Sequence, residues 1–502
     1  MPAPNARQEI KELPVEIVGG NKFARYNKIN YSQTWNMIVS DEFLVPYAGY
    51  KNVVTTANQG EGRGLYSSSR GGFMIAVIGG AVYRVSSALI ATQIDSLNTD
   101  IGDVYISENN NSQIVLTDGV NVYVYQYIAI IGHPVGFTVL SLAQFPYTAP
   151  GYASFQNGRL IIASTDTTIW ALSGLNDAFT WVGTGSYQGS LQTKPDTVQA
   201  AVPVPGGGSN LLLFGKTVTE NWQDVAAALF PYQRSSNFDI DYGCLNASSI
   251  ASLNNFVVWL AANEQSGPTI MVVTGNQTKQ ISTDGIDYKL GNLTDPENCT
   301  AFLFQQDGHL IYQFTFITDN LSYAYDFNSG LFFSVSDPDL NYHIARQVVY
   351  FDGQYYFVSL NGGNVYSFNT NLTYAQYSDI DIQTIPRIRI TPPFRLPTQR
   401  MFIVKSLGFT TENGQENYIT VTDNLEAELP VEISDAYVEL SISRDGAENF
   451  GNALALAMNP TGKRKSRFIF QRLGQANDIT FQIRFYGRIR WVVGDALMEV
   501  YQ

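Results

Sequence analysis

Cysteine and histidine are the side chains of this sequence that could hold a transition metal or serve as nucleophile and base. Cys244 and Cys299 are the only cysteines, and their separation fits neither the paired spacing of a zinc site nor a disulfide framework. The histidines, His133, His309 and His343, stand far apart, without the short spacing that lets two histidines bind one metal. The sequence therefore predicts no metal, no cofactor and two buried free thiols.

Acidic residues close in sequence occur as two pairs, Asp239 with Asp241 and Asp284 with Asp287. Such carboxylates can act as general acid and base or bind calcium. Aspartate is also a frequent turn residue, because its side chain accepts hydrogen bonds from the nearby backbone. No Ser–His–Asp order and no phosphate-binding glycine loop accompanies the pairs, so we interpret them as turn residues. We expect no catalytic residue and no enzyme.

The segment SRDGAENF, which begins at Ser443, resembles the Asp-box turn of sialidase hairpins, Ser-x-Asp-x-Gly-x-x-Trp. In that turn the carboxylate, here Asp445, holds a hairpin together and the aromatic ring packs beneath it. Ala447 stands where the box has its glycine, and Phe450 stands where it has its tryptophan. The segment therefore indicates a hairpin turn and not catalysis.

A basic cluster lies near the end of the chain and forms our candidate interface. Its members are Lys463, Arg464, Lys465, Arg467, Arg472, Arg484, Arg488 and Arg490. Two interpretations stay open: a solvated strand face, or a contact surface for an acidic partner such as a neighbouring copy of the same chain.

The elements that must position these residues are β-strands. A sequence pattern that we call a phrase, a polar or glycine turn followed by an apolar strand, recurs along the chain. Seven such phrases begin near residues 72, 113, 158, 210, 255, 308 and 353. Spacings of about 40 to 55 residues are typical of four-stranded propeller blades. We predict an all-β chain, with a β-propeller of six or seven blades and an additional β-sandwich-like domain.

Proline content and charge divide the sequence. Residues 386–397 contain four prolines, and beyond them lie alternating strand patterns without the blade period. We therefore predict an N-terminal extension over 1–55 that packs with the C-terminal domain, a propeller over 56–380, and a β-sandwich-like domain over 381–502. A short helix is expected near 224–229.

Net charge limits the partners. Residues 1–380 carry 16 Lys+Arg against 30 Asp+Glu, a balance of −14, whereas residues 381–502 carry 14 of each. An acidic surface of this kind repels phosphate, so tight nucleic-acid binding is not expected. The start of the chain lacks the apolar core of a secretion signal, and the longest apolar stretch, 128–143, is too short to span a bilayer. We expect a soluble protein made in a cytoplasm, without membrane insertion.

An ordered series of phrases resembles the packaged-DNA stabilisation family of short-tailed bacteriophages, the tail hub or nozzle proteins. The phrases are WALSGLNDAFTW at 170–181, KPDTV at 194–198, LFGKTVTENW at 213–222, FPYQR at 230–234, DYGC at 241–244, VWL at 258–260, QIST at 280–283, GHLIYQFTF at 308–316, YAYD at 323–326, SISRD at 441–445 and RLG at 472–474. Their order and spacing, more than any single phrase, carry the resemblance.

The resemblance implies a homohexameric ring below the portal and its adaptor in the virion tail, assembled in the cytoplasm of the host bacterium. Such a ring extends the DNA channel, retains packaged DNA, passes it during ejection without tight binding, anchors tail fibres or spikes, and receives a plug or needle. The alternative function is a glycan-binding or glycosidase propeller of a phage tail, which would need carboxylates or arginines that converge at the propeller centre.

Overall fold

The computed structural model describes residues 10–501 except 24, 26–29, 184, 207, 228–229, 237–238, 276, 414–417, 423–427, 433–435 and 458–464. Five strands precede the first blade: β1 (Ile10–Val15), β2 (Gln33–Trp35), β3 (Met37–Ser40), β4 (Phe43–Pro46) and β5 (Gly49–Thr55). No helix among the described residues is long and apolar enough to cross a membrane.

Seven antiparallel sheets of the described residues form the blades of a propeller. Blades 1 to 4 consist of β6 (Gly62–Ser68), β7 (Phe73–Ile78), β8 (Ala81–Ser86) and β9 (Ala91–Ser96); β10 (Tyr105–Glu108), β11 (Gln113–Thr117), β12 (Val122–Gln126) and β13 (Gly136–Val139); β14 (Pro150–Gln156), β15 (Arg159–Ser164), β16 (Ile169–Leu172) and β17 (Tyr187–Ser190); and β18 (Val198–Pro203), β19 (Asn210–Gly215), β20 (Thr219–Asp224) and β21 (Tyr232–Arg234).

Blades 5 to 7 follow the same plan. They consist of β22 (Gly243–Cys244), β23 (Ala251–Leu253), β24 (Phe256–Ala262), β25 (Thr269–Thr274) and β26 (Gln277–Gln280); β27 (Cys299–Gln306), β28 (His309–Phe316), β29 (Leu321–Asp326) and β30 (Leu331–Ser334); and β31 (Ala345–Phe351), β32 (Gln354–Ser359) and β33 (Asn364–Asn369) with β5 as the fourth strand. A 3-10 helix (Ala247–Ser249) interrupts the inner strand of blade 5, and α1 (Asp284–Leu290) follows that blade.

Each of the seven phrases read from the sequence leads into the second strand of a blade: β7, β11, β15, β19, β24, β28 and β32. Because both faces of a blade contact neighbouring blades, alternate side chains of one strand enter different cores. Leu116 packs with residues of blade 1, whereas its neighbour Val115 packs with residues of blade 3. This two-sided burial explains the continuous apolar runs. The predicted propeller with a second β-domain is confirmed, with seven blades.

The ring is closed by strands from distant parts of the chain. Neighbouring blades contact one another in order around the ring, mostly through their inner strands, and β31 of blade 7 contacts β6 of blade 1. Strand β5 pairs antiparallel with β33, so residues from before the first blade complete the last one. Gly49 permits the close approach of the chain at Tyr374 to the other side of β5, because a Cβ there would lie 2.5 Å from the carbonyl oxygen of Tyr374. The closure buries the faces of the first and last blades against each other.

The remaining strands are β34 (Tyr374–Gln376), β35 (Ile382–Thr384), β36 (Arg387–Ile390), β37 (Phe402–Asn413), β38 (Tyr418–Thr422), β39 (Glu428–Glu432), β40 (Tyr437–Ser443), β41 (Leu454–Ala457), β42 (Lys465–Ala476), β43 (Thr480–Tyr486) and β44 (Trp491–Tyr501). They form a sandwich of two sheets. The shared sheet continues blade 6 outward in the order β30-β2-β36-β43-β40-β41, and the outer sheet has the order β3-β4-β44-β37-β42, with β1 also paired to β44.

The sandwich core lies between these two sheets and is rich in aromatic rings. Trp491 of the outer sheet lies with its ring centroid 5.7 Å from that of Phe485 in the shared sheet. Such contacts between large rings stabilise a sandwich beyond the area that they bury. The division into 1–55, 56–380 and 381–502 stays a prediction; the pairings that bear on it are β5 in blade 7, β2 in the shared sheet and β1 in the outer sheet.

The helix expected near 224–229 is wrong over its described part. Strand β20 ends at Asp224, residues 225–227 are not helical, and 228–229 lie outside the described residues. The α-helix lies instead at Asp284–Leu290, where the side chain of Thr283 caps its N-terminus by accepting from the backbone NH of Ile286. Asp284 and Asp287 lie in the first turn of this helix, where the helix dipole favours carboxylates, so the interpretation of this pair as residues of a turn between strands is wrong.

Candidate functional site

A hydrogen bond crosses the centre of the propeller. Tyr105 lies on the innermost strand of blade 2, and its hydroxyl lies 2.9 Å from the hydroxyl of Ser248 in blade 5. The 3-10 helix brings Ser248 to the axis, because it interrupts the innermost strand of that blade. The ring of Tyr105 also lies 5.1 Å from that of Tyr152 in blade 3. Burial raises the pKa of Tyr105 well above its ordinary value, so its hydroxyl stays protonated. These side chains fill the axis.

An ion-pair cluster locks the seam where blade 7 meets blades 1 and 2. Arg346 of β31 lies 3.1 Å from a carboxylate oxygen of Glu61 and 2.5 Å from one of Asp103. Burial alone would lower the pKa of Arg346, but the two carboxylates hold it above its ordinary value. Arg63 nearby donates only to oxygens of the chain itself, including the carbonyls of Thr99 and Gly102. The cluster is satisfied internally, so we assign it to ring closure and not to ligand binding.

Two buried arginines join the sandwich to the rest of the chain, and the sequence pattern gave no indication of them. Arg389 donates to the carbonyls of Glu16 and Gly20 and to the hydroxyl of Thr34. Arg387 donates to the carbonyl of Thr373. Burial lowers the pKa of Arg387 to about 9 and that of Arg389 to about 10, and the charge of Glu16 partly opposes the shift of Arg389.

The cysteines and histidines, which the sequence offered as possible metal ligands or catalytic groups, do not come together in one site. Both cysteines are buried as free thiols. His309 is bonded to Asp326 at 2.9 Å, and burial lowers the pKa of His343 to about 3. In the described part of the chain, no group of three His, Cys, Asp or Glu side chains could hold a metal ion.

The carboxylates of Asp239 and of the Asp-box-like segment bind groups of the protein itself. Asp239 pairs with Arg234 of blade 4. In the Asp-box-like segment, the carboxylate of Asp445 accepts hydrogen bonds from the hydroxyl of Ser443 at 2.6 Å and from the backbone NH of Asn449 at 3.0 Å. These donors hold the pKa of Asp445 below its ordinary value. Ala447 adopts a φ of 68° there, a region that glycine occupies more easily. The segment is a tight turn.

The basic cluster is divided among three places. Lys465, Arg467 and Arg472 lie exposed on β42, the edge strand of the outer sheet, whereas Arg484 lies on β43 of the shared sheet. Arg488 donates to the carbonyl of Ile382 at 2.7 Å, and Arg490 lies 3.7 Å from a carboxylate oxygen of Asp307 in blade 6. Lys463 and Arg464 lie outside the described residues. The last two arginines therefore contact the propeller side of the same molecule, and the β42 residues are accessible to a partner.

The free face of the outer sheet departs from the polar pattern of a solvated sheet. Ile10, Phe43, Ile403, Ile469 and Leu497 are 38–49% exposed. Register places Pro14, Leu497, Gly408 and Ile469 directly opposite one another across four neighbouring strands. A charged row with the Lys405–Glu499 ion pair at 2.8 Å adjoins this apolar row. Contiguous exposed apolar side chains of this kind are a feature that protein interaction surfaces share.

Comparisons with known proteins assign the chain to a family. Residues 22–373 match a family model described as Bacteriophage P22 Gp10, beta-propeller, and residues 392–501 match one described as Bacteriophage P22 Gp10, beta-sandwich. These matches confirm the resemblance drawn from the sequence. No curated protein matches the chain.

Several solved propellers are similar to the chain at low identity. A streptogramin B lyase is 12% identical over 64% of this chain and 97% of that chain, with a TM-score of 0.43. Virginiamycin B lyase from Staphylococcus aureus is 11% identical over 72% and 99%, with a TM-score of 0.40. The computationally designed Ika8 protein is 12% identical over 64% and 100%, with a TM-score of 0.39. Similarity at this level carries no argument about function.

Proposed function

The chain belongs to the bacteriophage P22 Gp10 family and is a structural protein of a phage tail, and from this premise we propose that it is the tail hub, or nozzle. Copies of the chain form a ring below the portal and its adaptor. The ring extends the DNA channel, retains packaged DNA and passes it during ejection. It anchors tail fibres or spikes outside and receives a plug or needle below. Assembly takes place in the cytoplasm of the host bacterium.

The observation that carries this proposal is the filled propeller axis. The Tyr105–Ser248 hydrogen bond spans the place where a propeller would have its hole. A DNA duplex, whose major groove alone is about 12 Å wide, has no room there. A DNA conduit built from this chain therefore runs between copies and not through one, which requires a ring.

The negative charge of the propeller supports a protein that lets DNA pass and does not bind it tightly. Residues 1–380 carry the whole net charge of −14. Carboxylates repel DNA phosphates and release no counterions when DNA approaches, so an acidic wall does not hold the genome.

The structure offers little support for the glycan alternative. A groove of about 530 Å³ lies between the outer strands of blades 3 and 4 and is lined by Trp222, Tyr232 and Arg234 among others. Trp222 and Tyr232 are only 3% and 4% exposed, so neither presents a ring face for a sugar. The acids near Arg234 are engaged with it, Glu220 at 3.7 Å and Asp239 in a close pair. We therefore propose a protein without enzymatic activity.

The test is imaging of the purified chain by negative stain together with its native mass, alone and mixed with adaptor-bearing phage heads lacking this protein. We expect rings with a central hole that bind the adaptor end of the heads. A chain that stays monomeric under both conditions and leaves the heads bare would contradict the hub. Turnover of chromogenic glycosides would favour the alternative.

A further inference from the structure

We propose that copies of the chain meet head to tail, with the free face of the outer sheet of one copy against a loop crest on blades 2 and 3 of the next. This inference rests on the proposed ring and names the two surfaces that build it. The loop crest is defined by the exposed side chains Ile128, Ile131, Val135, Leu175 and Val182.

The loop crest is one continuous surface. In an antiparallel blade, the loops that join the third strand to the fourth all lie at the same end of the blade. Residues 127–135 form that loop in blade 2, and residues 173–186 form it in blade 3. The two loops touch, because His133 of one stacks on Phe179 of the other at 4.4 Å between ring centroids. The exposed aliphatic side chains therefore lie on adjoining loops.

The aliphatic side chains of the crest are unusually exposed for surface loops. Ile131 is fully exposed, and Ile128, Val135, Leu175 and Val182 are 44–64% exposed. The two loops carry a single formal charge, the carboxylate of Asp177, which accepts from the hydroxyl of Thr180 at 2.6 Å. Contiguous uncharged aliphatic loops in an otherwise acidic propeller are typical of a protein contact.

The two apolar surfaces lie at opposite positions around the propeller axis. The shared sheet continues blade 6 away from the axis, and the outer sheet packs against it. In a ring of seven blades, the position opposite blade 6 is the gap between blades 2 and 3. A contact between two different surfaces of identical copies is heterologous, and its repetition generates a ring with a direction when the rotation between copies closes. A tail hub needs this direction, because its two ends meet different proteins.

Charge favours a second copy as the occupant of the crest. Elsewhere the propeller is strongly acidic, so two copies that met through most of its surface would set carboxylates against carboxylates. The crest avoids this repulsion. The exposed Lys465 and Arg467 flank the apolar row of the outer sheet, and they complement the acidic propeller of a neighbouring copy.

The experiment uses one charged substitution on each surface, Ile131→Glu on the crest and Leu497→Glu on the outer sheet. Both side chains are exposed, so both variants should fold, which circular dichroism checks. The matched control is Leu142→Glu, an 80% exposed leucine in the connection between blades 2 and 3, outside both surfaces. Native mass and negative stain, with and without adaptor-bearing heads, give the oligomeric state.

We expect Ile131→Glu and Leu497→Glu to be monomeric alone, with the contact weakened by more than about tenfold, and the control to form rings. A mixture of the two variants should form dimers that grow no further, because only one intact pair of surfaces remains. Rings from either variant alone, closed dimers of one variant, or a mixture that stays monomeric would overturn the head-to-tail contact. If the unaltered chain forms no ring either alone or on the adaptor-bearing heads, the hub proposal itself fails.

Discussion

Asn36 and Ser336 are joined by two hydrogen bonds although 300 residues separate them. The side-chain amide of Asn36 donates to the hydroxyl of Ser336 at 2.8 Å and accepts from its backbone NH at 2.8 Å. The same amide nitrogen donates to the carbonyl of Pro386 at 2.7 Å. One buried side chain thus ties together the N-terminal strands, the exit of blade 6 and the start of the sandwich.

We predict that Asn36→Ala lowers the free energy of unfolding by about 2–4 kcal/mol, because it leaves buried polar groups without partners and places alanine at a φ of 55°. Chemical denaturation measures the change. The control is Asn371→Ala at an exposed position, and equal stability of the two variants would contradict the role of Asn36.

Removal of the Tyr105 hydroxyl tests the bond across the axis. Tyr105→Phe should cost about 1 kcal/mol, the net value of one hydrogen bond, and Tyr105→Ala about 3–5 kcal/mol through the cavity that it leaves. Tyr350→Phe, at a tyrosine that is 58% exposed, should change the unfolding free energy little. If denaturation curves of the two Phe variants coincide, the axial bond contributes nothing.

Loss of the guanidinium at the blade seam should be costly. Arg346→Met leaves Glu61 and Asp103 without their cation, and we expect a loss of about 2–4 kcal/mol of unfolding free energy, since both carboxylates are partly exposed. Arg70→Ala on the exposed surface serves as the control. A loss no larger than that of the control would show that the ring closes without these ion pairs.

His343 makes stability depend on pH. Its folded pKa of about 3 lies below its ordinary value because it is buried, so between that pH and about 6.5 the unfolded chain binds a proton that the folded chain does not. Stability therefore falls as the solution is acidified, by at most about 1.4 kcal/mol per pH unit. Unfolding curves between pH 7 and pH 5 should show this slope, and His343→Gln should flatten it. An unchanged slope would exclude His343 as its source.

The two thiols should be inert in the folded protein. Burial raises the pKa of Cys244 to about 12 and that of Cys299 well above its ordinary value, and only a thiolate reacts readily. A chromogenic disulfide should titrate no thiol in the native chain and two after denaturation. Rapid labelling of the native chain would contradict this burial.

The blades were predictable because their second strands are buried on both faces and repeat a turn and an apolar run. The Val115 strand and its six counterparts carry that signal. Closure by β5 was not predictable, since Gly49–Thr55 has only one buried apolar position, Val54, beyond Tyr50 and the glycine, and pairing over 300 residues leaves no local trace. The surfaces of the proposed contact were visible in the sequence only as scattered aliphatic residues, because register and loop contacts decide which of them adjoin.

Arg387 and Arg389 show most clearly what could not be predicted from the sequence. Alternation of arginine with isoleucine in β36 suggests one exposed face, yet all four residues are buried. Arg389 donates to the carbonyl of Gly20 and Arg387 to that of Ile489, in segments that are distant in sequence, and no local pattern encodes such partners.

The pairing of β1 with β44 has a consequence for tail assembly during infection. A ribosome that stops before residue 491 releases a product without the strand on which both β1 and β37 pair, although its blades can already be in place. Such a product lacks the central strand of the outer sheet and, with Leu497, part of the surface proposed to bind the next copy. Chains truncated in this way would bind a neighbouring copy less well than complete chains. Ring assembly would therefore exclude them without a separate quality-control factor.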